Sequence, residues 1–186
     1  MAVPHFQLPL SFDVQRLHED LAQLTPQDWS PHFNQRQYEG DWSGVPLRST
    51  PGARVALYPD PTSTDFIDLP VLERCPYLRE ALAKFECPLQ FVRLLRLSAG
   101  SNIREHRDHC LSYEDGEVRL HIPMQTNPGV EFVVDDRMIP MREGECWYIN
   151  FNLPHRIFNG GTTDRIHLVI DCTLNPWLDA MFPKYS

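Results

Sequence analysis

Three residues in this chain have the types that together bind one metal ion: His106, Asp108 and, much later, His155. Two imidazoles and one carboxylate occupy one face of a ferrous iron and leave its other face open to ligands. A histidine nitrogen combined with a hard carboxylate oxygen suits iron or manganese better than a closed zinc site. The HxD spacing lets His106 and Asp108 point the same way at a strand end. We therefore predict that these three residues are metal ligands.

Arg165 follows His155 by ten residues, and the stretch between them contains Asn-Gly-Gly at 159–161. That sequence is typical of a hairpin turn. A turn centred on Gly160 would place His155 almost opposite Arg165 on the neighbouring strand. A guanidinium in that position would hold a carboxylate cosubstrate beside the metal through a bidentate contact.

The elements that must position these residues are mainly strands. From Leu89 onward, short apolar runs alternate with turn residues at the spacing of an all-β sandwich or barrel. We predict strands at 89–97, 117–125, 130–134, 137–141, 145–151, 155–158 and 165–173, with a hairpin turn at Asp135-Asp136. Before them, we predict amphipathic helices at 12–24 and 77–86 and a short strand at 54–58.

The expected fold class is therefore mainly β: a double-stranded β-helix (a cupin-like jelly roll) with N-terminal helices packed on one sheet. We expect one domain over 1–186. Within it, 1–88 would form the helical and irregular part, 89–174 the jelly-roll core and 175–186 a C-terminal tail.

Two of the predicted strands alternate in polarity. In 117–123 and in 165–171 the apolar residues share one face, and the other face carries Arg119, His121, Arg165, His167 and Asp171. Ordinary amphipathic strands with these polar side chains in water are one interpretation. The other is that the helices cover the apolar faces and the polar faces line a cavity. The amphipathic helices need an apolar surface to cover, which favours the cavity.

Composition excludes several classes of protein. The formal net charge is −8 and no run of Lys or Arg occurs, so nucleic acid is not an expected partner. No stretch approaches 18 consecutive apolar residues, so we expect no membrane span. The N-terminus lacks the basic start and apolar core of a signal peptide, and a cytoplasmic location is expected. Five cysteines without a CxxC pair argue against a disulfide framework.

Four segments together resemble the aspartyl/asparaginyl β-hydroxylase family, which includes bacterial proline cis-hydroxylases. They are AGSNIREHRDH (99–109), RLHIP (119–123), GECWYINFNLPHRIFNGG (144–161) and DRIHLVID (164–171). The combination is specific, although each segment alone is not. The chain keeps Asp108 where animal members lack the acidic ligand. It departs from them at Leu95, where they have a serine that helps to bind the cosubstrate.

The resemblance implies an Fe(II)- and 2-oxoglutarate-dependent dioxygenase that uses O2. It implies iron bound by His106, Asp108 and His155, and Arg165 on the distal carboxylate of 2-oxoglutarate. It also implies that Arg119 and His121 line the pocket near the C1 end of the cosubstrate. The reaction would hydroxylate an unactivated C–H of an amino acid or of an Asp/Asn-type side chain and release succinate and CO2.

Other functions fit part of the pattern. A metal-binding cupin without oxygenase activity, either an isomerase or a small-molecule binding protein, would have a similar barrel. Such a protein does not explain Arg165 and commonly uses more histidine ligands. A small-molecule or peptide-like amino-acid substrate is expected, and the oligomeric state is left open.

Overall fold

The structure is a computed structural model, and it describes residues 3–55 and 57–183. Its strands are β1 (His5–Ser11), β2 (Ser30–Pro31), β3 (Tyr38–Glu39), β4 (Trp42–Ser49), β5 (Ile67–Asp68), β6 (Leu89–Leu97), β7 (Asn102–His106), β8 (Glu117–Gln125), β9 (Val130–Val134), β10 (Arg137–Met138), β11 (Glu145–Ile149), β12 (His155–Asn159) and β13 (Arg165–Thr173). Its α-helices are α1 (Val14–Leu21), α2 (Pro76–Leu82) and α3 (Pro176–Asp179). Short 3-10 helices lie at Pro26–Asp28, Pro70–Arg74 and Tyr113–Asp115.

The strands form two antiparallel sheets. The major sheet has the order β1-β11-β8-β13-β6-β4-β2, with β5 also paired to β4. The minor sheet has the order β10-β9-β12-β7-β3. Strands that precede residue 89 take part in both sheets, since β4 pairs with β6 and β3 pairs with β7. This arrangement confirms the predicted jelly-roll fold.

The helices cover one face of the major sheet. Asp13 caps α1 by accepting a hydrogen bond from the backbone N–H of Arg16, and Leu17 of this helix is fully buried. Leu17 and Leu78 belong to a core cluster that also contains Leu120 of β8 and Leu168 of β13. The apolar residues of the alternating strands therefore lie under the helices, and the prediction that helices pack on one sheet is confirmed.

The opposite face of the major sheet packs against the minor sheet. A second apolar cluster fills this space, with Trp42, Leu95 and Val169 from the major sheet and Ile103 and Phe132 from the minor sheet. Because β-strand side chains alternate between faces, the polar residues of β8 and β13 point into the same space as Val169. Buried polar residues here are Arg93, His121, Arg165, His167 and Asp171. The polar faces are thus turned inward, toward the minor sheet.

Several predicted boundaries agree with the structure. The ends of β6, β8, β9 and β13 match the prediction residue for residue, whereas both predicted helices end earlier than expected. Asp135 and Asp136 join β9 to β10 with φ of 48° and 58°, as a two-residue hairpin turn requires. The predicted strand at 54–58 is wrong, since only an isolated bridge joins Val55 to Tyr58; Ala56 lies outside the described residues. Among the described residues, no helix has the length and apolar character needed to cross a bilayer.

The predicted hairpin around Gly160 is also wrong. β12 pairs with β7 and β9 in the minor sheet, while β13 pairs with β6 and β8 in the major sheet. The chain therefore changes sheet between β12 and β13. The buried side chain of Asn159, the last residue of β12, stabilises this path by bonding to β6 and to the segment that leads into β13. Its amide donates to the carbonyls of Leu97 and Thr163 at 2.9 Å each, and the N–H of Gly160 donates to the carbonyl of Gly129.

Candidate metal centre

The three predicted metal ligands lie together at one end of the minor sheet. His106 is the last residue of β7, and its cross-strand partner in the antiparallel pair is His155, the first residue of β12. The two Nε2 atoms are 3.2 Å apart, and an oxygen of Asp108 lies 3.7 Å from the Nε2 of His106. One ligand atom from each residue falls within 4.8 Å of the others. His106, and not Arg165, is therefore the residue that the sheet places opposite His155.

Backbone carbonyls set the orientation of both imidazoles. The Nδ1–H of His106 donates to the carbonyl of Arg104 at 2.7 Å, and the Nδ1–H of His155 donates to that of Leu153 at 3.0 Å. Each ring then presents an unprotonated Nε2 to its neighbour. Two adjacent ligands of an octahedral metal at about 2.1 Å would themselves lie about 3 Å apart. The three donor types fit a divalent ion with open positions, and the spacing of the two imidazole nitrogens matches that of neighbouring ligands.

Asp108 lies just beyond the end of β7 and is held by two contacts. Its backbone N–H donates to the carbonyl of Phe151 at 2.9 Å, and one carboxylate oxygen accepts from Nη1 of Arg119 at 2.6 Å. The same guanidinium binds Asp171 through Nε at 2.6 Å and Nη2 at 3.0 Å. Asp171 also accepts from Nη1 of Arg93 at 2.7 Å. Four charges of alternating sign thus run from Arg93 to the metal centre, and they fix the direction of the Asp108 carboxylate.

The electrostatics keep His155 and Asp108 in their metal-binding forms near neutral pH. Burial lowers the pKa of His155 to about 4, so its imidazole is neutral. Burial alone would raise the pKa of Asp108, but the charge of Arg119, followed by those of His155 and His106, holds it below the usual value. The pKa of Asp171 is also held below its usual value, because the charges of Arg119 and Arg93 outweigh the opposing effect of burial.

Arg165 lies deep between the sheets, with 1% of its surface exposed. Its Nη2 donates to Nδ1 of His167 at 2.9 Å, its guanidinium lies 5.4 Å from the Phe132 ring centre, and its Nε has no hydrogen-bond partner. Among the described residues, no carboxylate lies within 4.0 Å of it, and burial lowers its pKa to about 9. A buried guanidinium without an acidic partner is a strong binding site for an anion.

His121 is buried beside this arginine. His167 accepts the bond from Arg165 at Nδ1, so the hydrogen between the two Nδ1 atoms of His167 and His121, 3.2 Å apart, belongs to His121. The Nε2 of His121 is buried and has no partner among the described residues. Burial and the charge of Arg165 hold the pKa of both imidazoles well below the usual value. The pair therefore offers uncharged polar atoms next to Arg165.

An open cleft of about 530 Å³ adjoins the triad. His106, Asp108 and Arg119 form part of its wall, together with Arg93 and Asp171. A second wall of the cleft is aromatic, since His32 stacks on Trp42 with ring centres 3.5 Å apart and both line the cleft. Burial lowers the pKa of His32 to about 4, so this wall is uncharged near neutral pH.

The predicted site residues thus fall into two groups. His106, Asp108, His155 and Arg119 are connected around the triad, whereas Arg165 and His121 lie deeper in the space between the sheets. Arg119 contacts Asp108 and Asp171, and its contact with a cosubstrate stays a prediction. Sequence reasoning missed Arg93 and His32. The signal for Arg93 is a charged residue at a core-facing position of the apolar strand LQFVRLLRL.

A jelly roll with two histidines and one carboxylate converging at one end of a sheet belongs to the class of cupin-like proteins with a facial-triad metal site. One solved structure with the same fold is an oxidoreductase of the 2OG-Fe(II) oxygenase family from Burkholderia pseudomallei. It has a TM-score of 0.60 and 19% identity, over 91% of this chain and 85% of that one.

Comparison with sequence families identifies the family to which the chain belongs. A model of the aspartyl/asparaginyl beta-hydroxylase family matches residues 11–174. The L-proline cis-4-hydroxylase of Rhizobium meliloti (strain 1021) is 30% identical over 169 residues, which are 90% of this chain. An L-proline cis-3-hydroxylase 1 from Streptomyces sp. is 26% identical over 175 residues, 91% of this chain. The chain belongs to the aspartyl/asparaginyl β-hydroxylase family. It spans 60% of the length of these two relatives.

Proposed function

We propose that this protein is an Fe(II)- and 2-oxoglutarate-dependent dioxygenase that hydroxylates an unactivated C–H of an amino acid or of an Asp/Asn-type side chain. The observation that carries the proposal is Arg165. A fully buried guanidinium without a carboxylate partner among the described residues is unfavourable in a metal-binding protein that has no anionic ligand. It becomes favourable when a dicarboxylate places one end on the metal and the other on the arginine.

Each residue has a distinct part in this function. His106, Asp108 and His155 would hold the iron, and Arg165 would bind the distal carboxylate of 2-oxoglutarate. His121 and His167 offer polar atoms to the remainder of the cosubstrate, and Arg119 orients Asp108. With iron, 2-oxoglutarate and O2 bound, the centre supplies the oxidising chemistry that hydroxylates the substrate and releases succinate and CO2.

The protein around the centre determines what is oxidised. Arg165 is 1% exposed, and a contact between guanidinium and carboxylate is stronger in such a buried position than in water. The cleft that adjoins the triad is open, and we assign the substrate to it. The named activities of the two relatives, proline cis-4- and cis-3-hydroxylation, support a small amino acid as the substrate class. A cytoplasmic location and the lack of a nucleic-acid partner stay predictions.

The test is iron-dependent succinate formation in the presence of free amino acids, with L-proline included. Asp108→Ala should abolish iron retention and turnover, since the hard oxygen ligand is lost. Asp68→Ala is the matched control, because this aspartate is exposed on β5 and pairs with Arg48. Succinate formation that survives His155→Ala would contradict the assignment. Failure of the iron-loaded chain to bind 2-oxoglutarate would favour a metal-binding cupin without oxygenase activity.

A further inference from the structure

The wall of the open cleft contains one buried guanidinium, among the described residues, whose hydrogen-bonding capacity is mostly unused. The Arg93 side chain is 5% exposed and lines the cleft. It donates only from Nη1, to the carbonyl of Phe91 at 3.2 Å and to Asp171 at 2.7 Å. Its Nε and Nη2 have no acceptor among the described residues. Arg119, by contrast, uses Nε, Nη1 and Nη2 on Asp108 and Asp171.

The buried charges of the cleft leave one positive charge uncompensated once a metal and 2-oxoglutarate are bound. Arg93 and Arg119 face two carboxylates, Asp171 and Asp108. If Asp108 gives its charge to a divalent ion, Asp171 alone remains to neutralise two guanidinium groups. The second charge of the divalent ion is neutralised by the carboxylate of 2-oxoglutarate that the proposed function places on the metal. The cleft therefore attracts an anionic group, and Arg93 is the buried arginine with free donors to bind it. Arg107 also lines the cleft, but it is exposed, so water can satisfy its remaining N–H groups.

A neighbouring donor points to the same kind of ligand. The indole Nε1–H of Trp42 is buried and has no acceptor among the described residues. Trp42 lines the cleft, and its ring stacks on the ring of His32. Burying a donor without a partner costs free energy, and an acceptor carried by a ligand relieves that cost. Two nitrogens of Arg93, Nε and Nη2, and the Nε1–H of Trp42 therefore all lack an acceptor at the same cleft.

We propose, on the basis of the proposed function, that the substrate is anchored in this cleft through a carboxylate held by Arg93. Asp171 is a positioning residue, since it fixes Nη1 of Arg93 and leaves Nε and Nη2 for the ligand. The carboxylate has two possible sources: the α-carboxylate of a free amino acid, or the side chain of an aspartate within a peptide. Both present the same planar group to the guanidinium fork.

The first experiment uses the wild-type chain with Fe(II) and 2-oxoglutarate. Succinate formation is measured with free L-amino acids, with the carboxamide of each, and with a blocked peptide that contains one internal aspartate. We expect stimulation by a carboxylate-bearing compound and a value of kcat/KM about 100-fold lower for its carboxamide, because an arginine would lose its charged partner. Stimulation by the free acid assigns the α-carboxylate, and stimulation by the peptide assigns the side chain.

The second experiment replaces the arginine. Arg93→Gln should raise KM for the carboxylate substrate about 100-fold while the affinity for 2-oxoglutarate, titrated without oxygen, stays unchanged. Arg96→Gln is the matched control, since this arginine lies on the same strand but points away toward Ser43. Arg93→Lys keeps the charge beside Asp171 and should restore part of the loss.

The outcomes separate this inference from the proposed function. If the iron-loaded chain does not bind 2-oxoglutarate, the proposed function fails and this inference fails with it. If it binds 2-oxoglutarate but a carboxamide is as active as its acid, or no carboxylate compound stimulates turnover, only the Arg93 subsite is overturned. The wild-type comparison does not depend on whether Arg93→Gln folds.

Discussion

Replacing Arg165 by methionine should stabilise the ligand-free protein and remove its affinity for 2-oxoglutarate. The guanidinium is buried, has no acidic partner among the described residues, and has a pKa lowered by burial to about 9. At roughly 1.4 kcal/mol per pH unit, a pKa about 3.5 below the usual arginine value corresponds to an unfavourable free energy of at most about 5 kcal/mol. Methionine keeps an unbranched apolar side chain, so we expect a gain of about 1–4 kcal/mol in the free energy of unfolding.

The gain should depend on pH in a defined direction. The folded protein carries the penalty wherever Arg165 is protonated, so the advantage of methionine is largest below about pH 9. It decreases as the pH rises through that value, because the guanidinium then loses its proton in the folded state but not in the unfolded chain. Urea titrations of wild type and Arg165→Met at pH 7 and at higher pH measure this difference.

The same substitution should weaken the binding of 2-oxoglutarate, although it stabilises the ligand-free protein. Loss of a buried partner for the distal carboxylate should cost about 3 kcal/mol, or about 100-fold in the dissociation constant of 2-oxoglutarate. Stabilisation by 2-oxoglutarate with Fe(II) under anaerobic conditions should therefore disappear. Arg156→Met serves as the control, since Arg156 is half-exposed and pairs with Glu105. An Arg165→Met protein that is less stable than the wild type and still stabilised by 2-oxoglutarate would refute the reasoning.

Three further outcomes follow from the packing and charges. Leu17→Ala should lower the free energy of unfolding by about 2–5 kcal/mol in urea titrations, whereas Gln15→Ala on the exposed side of α1 should change it little. Stability should fall as the pH is lowered from about 6.5 to 4, since the unfolded chain protonates His155 and the folded chain does not; an unchanged slope in His155→Asn would contradict this. Asp171→Asn should weaken Fe(II) binding about 10-fold or more in metal titrations, because Arg119 would lose the carboxylate that orients it, and unchanged affinity would exclude that role.

The strands and their inward-facing polar residues were predictable because they depend on local alternation. In β8 and β13 the period of two assigns Leu120 and Leu168 to one face and Arg119 and Arg165 to the other, without knowledge of the strand order. The turn at Asp135-Asp136 was predictable for the same reason, since two adjacent residues that tolerate positive φ determine it locally.

The pairing of the strands was not predictable from local pattern. Asn159-Gly160-Gly161 has the composition of a hairpin, but the bonds that decide its path come from residues distant in sequence, such as Leu97 and Gly129. The three metal ligands were predicted from type and spacing, although the reason they meet is different: β7 and β12 pair so that His106 faces His155. The links from Asp108 through Arg119 and Asp171 to Arg93 likewise join four segments, and no spacing rule connects them.

The change of sheet after Asn159 has a consequence for the length of the cosubstrate. The metal ligands of β7 and β12 belong to the minor sheet, whereas Arg165 extends from the major sheet. Stacked sheets keep a separation of about 10 Å that is set by the side chains packed between them. The separation of the sheets would then limit the length of the cosubstrate. A dicarboxylate that contacts both the metal and Arg165 would have to bridge a gap whose width is fixed by Phe132, Val169 and their neighbours. Chain length would be selected by the thickness of the apolar core, and larger core residues would shift the preference toward longer acids.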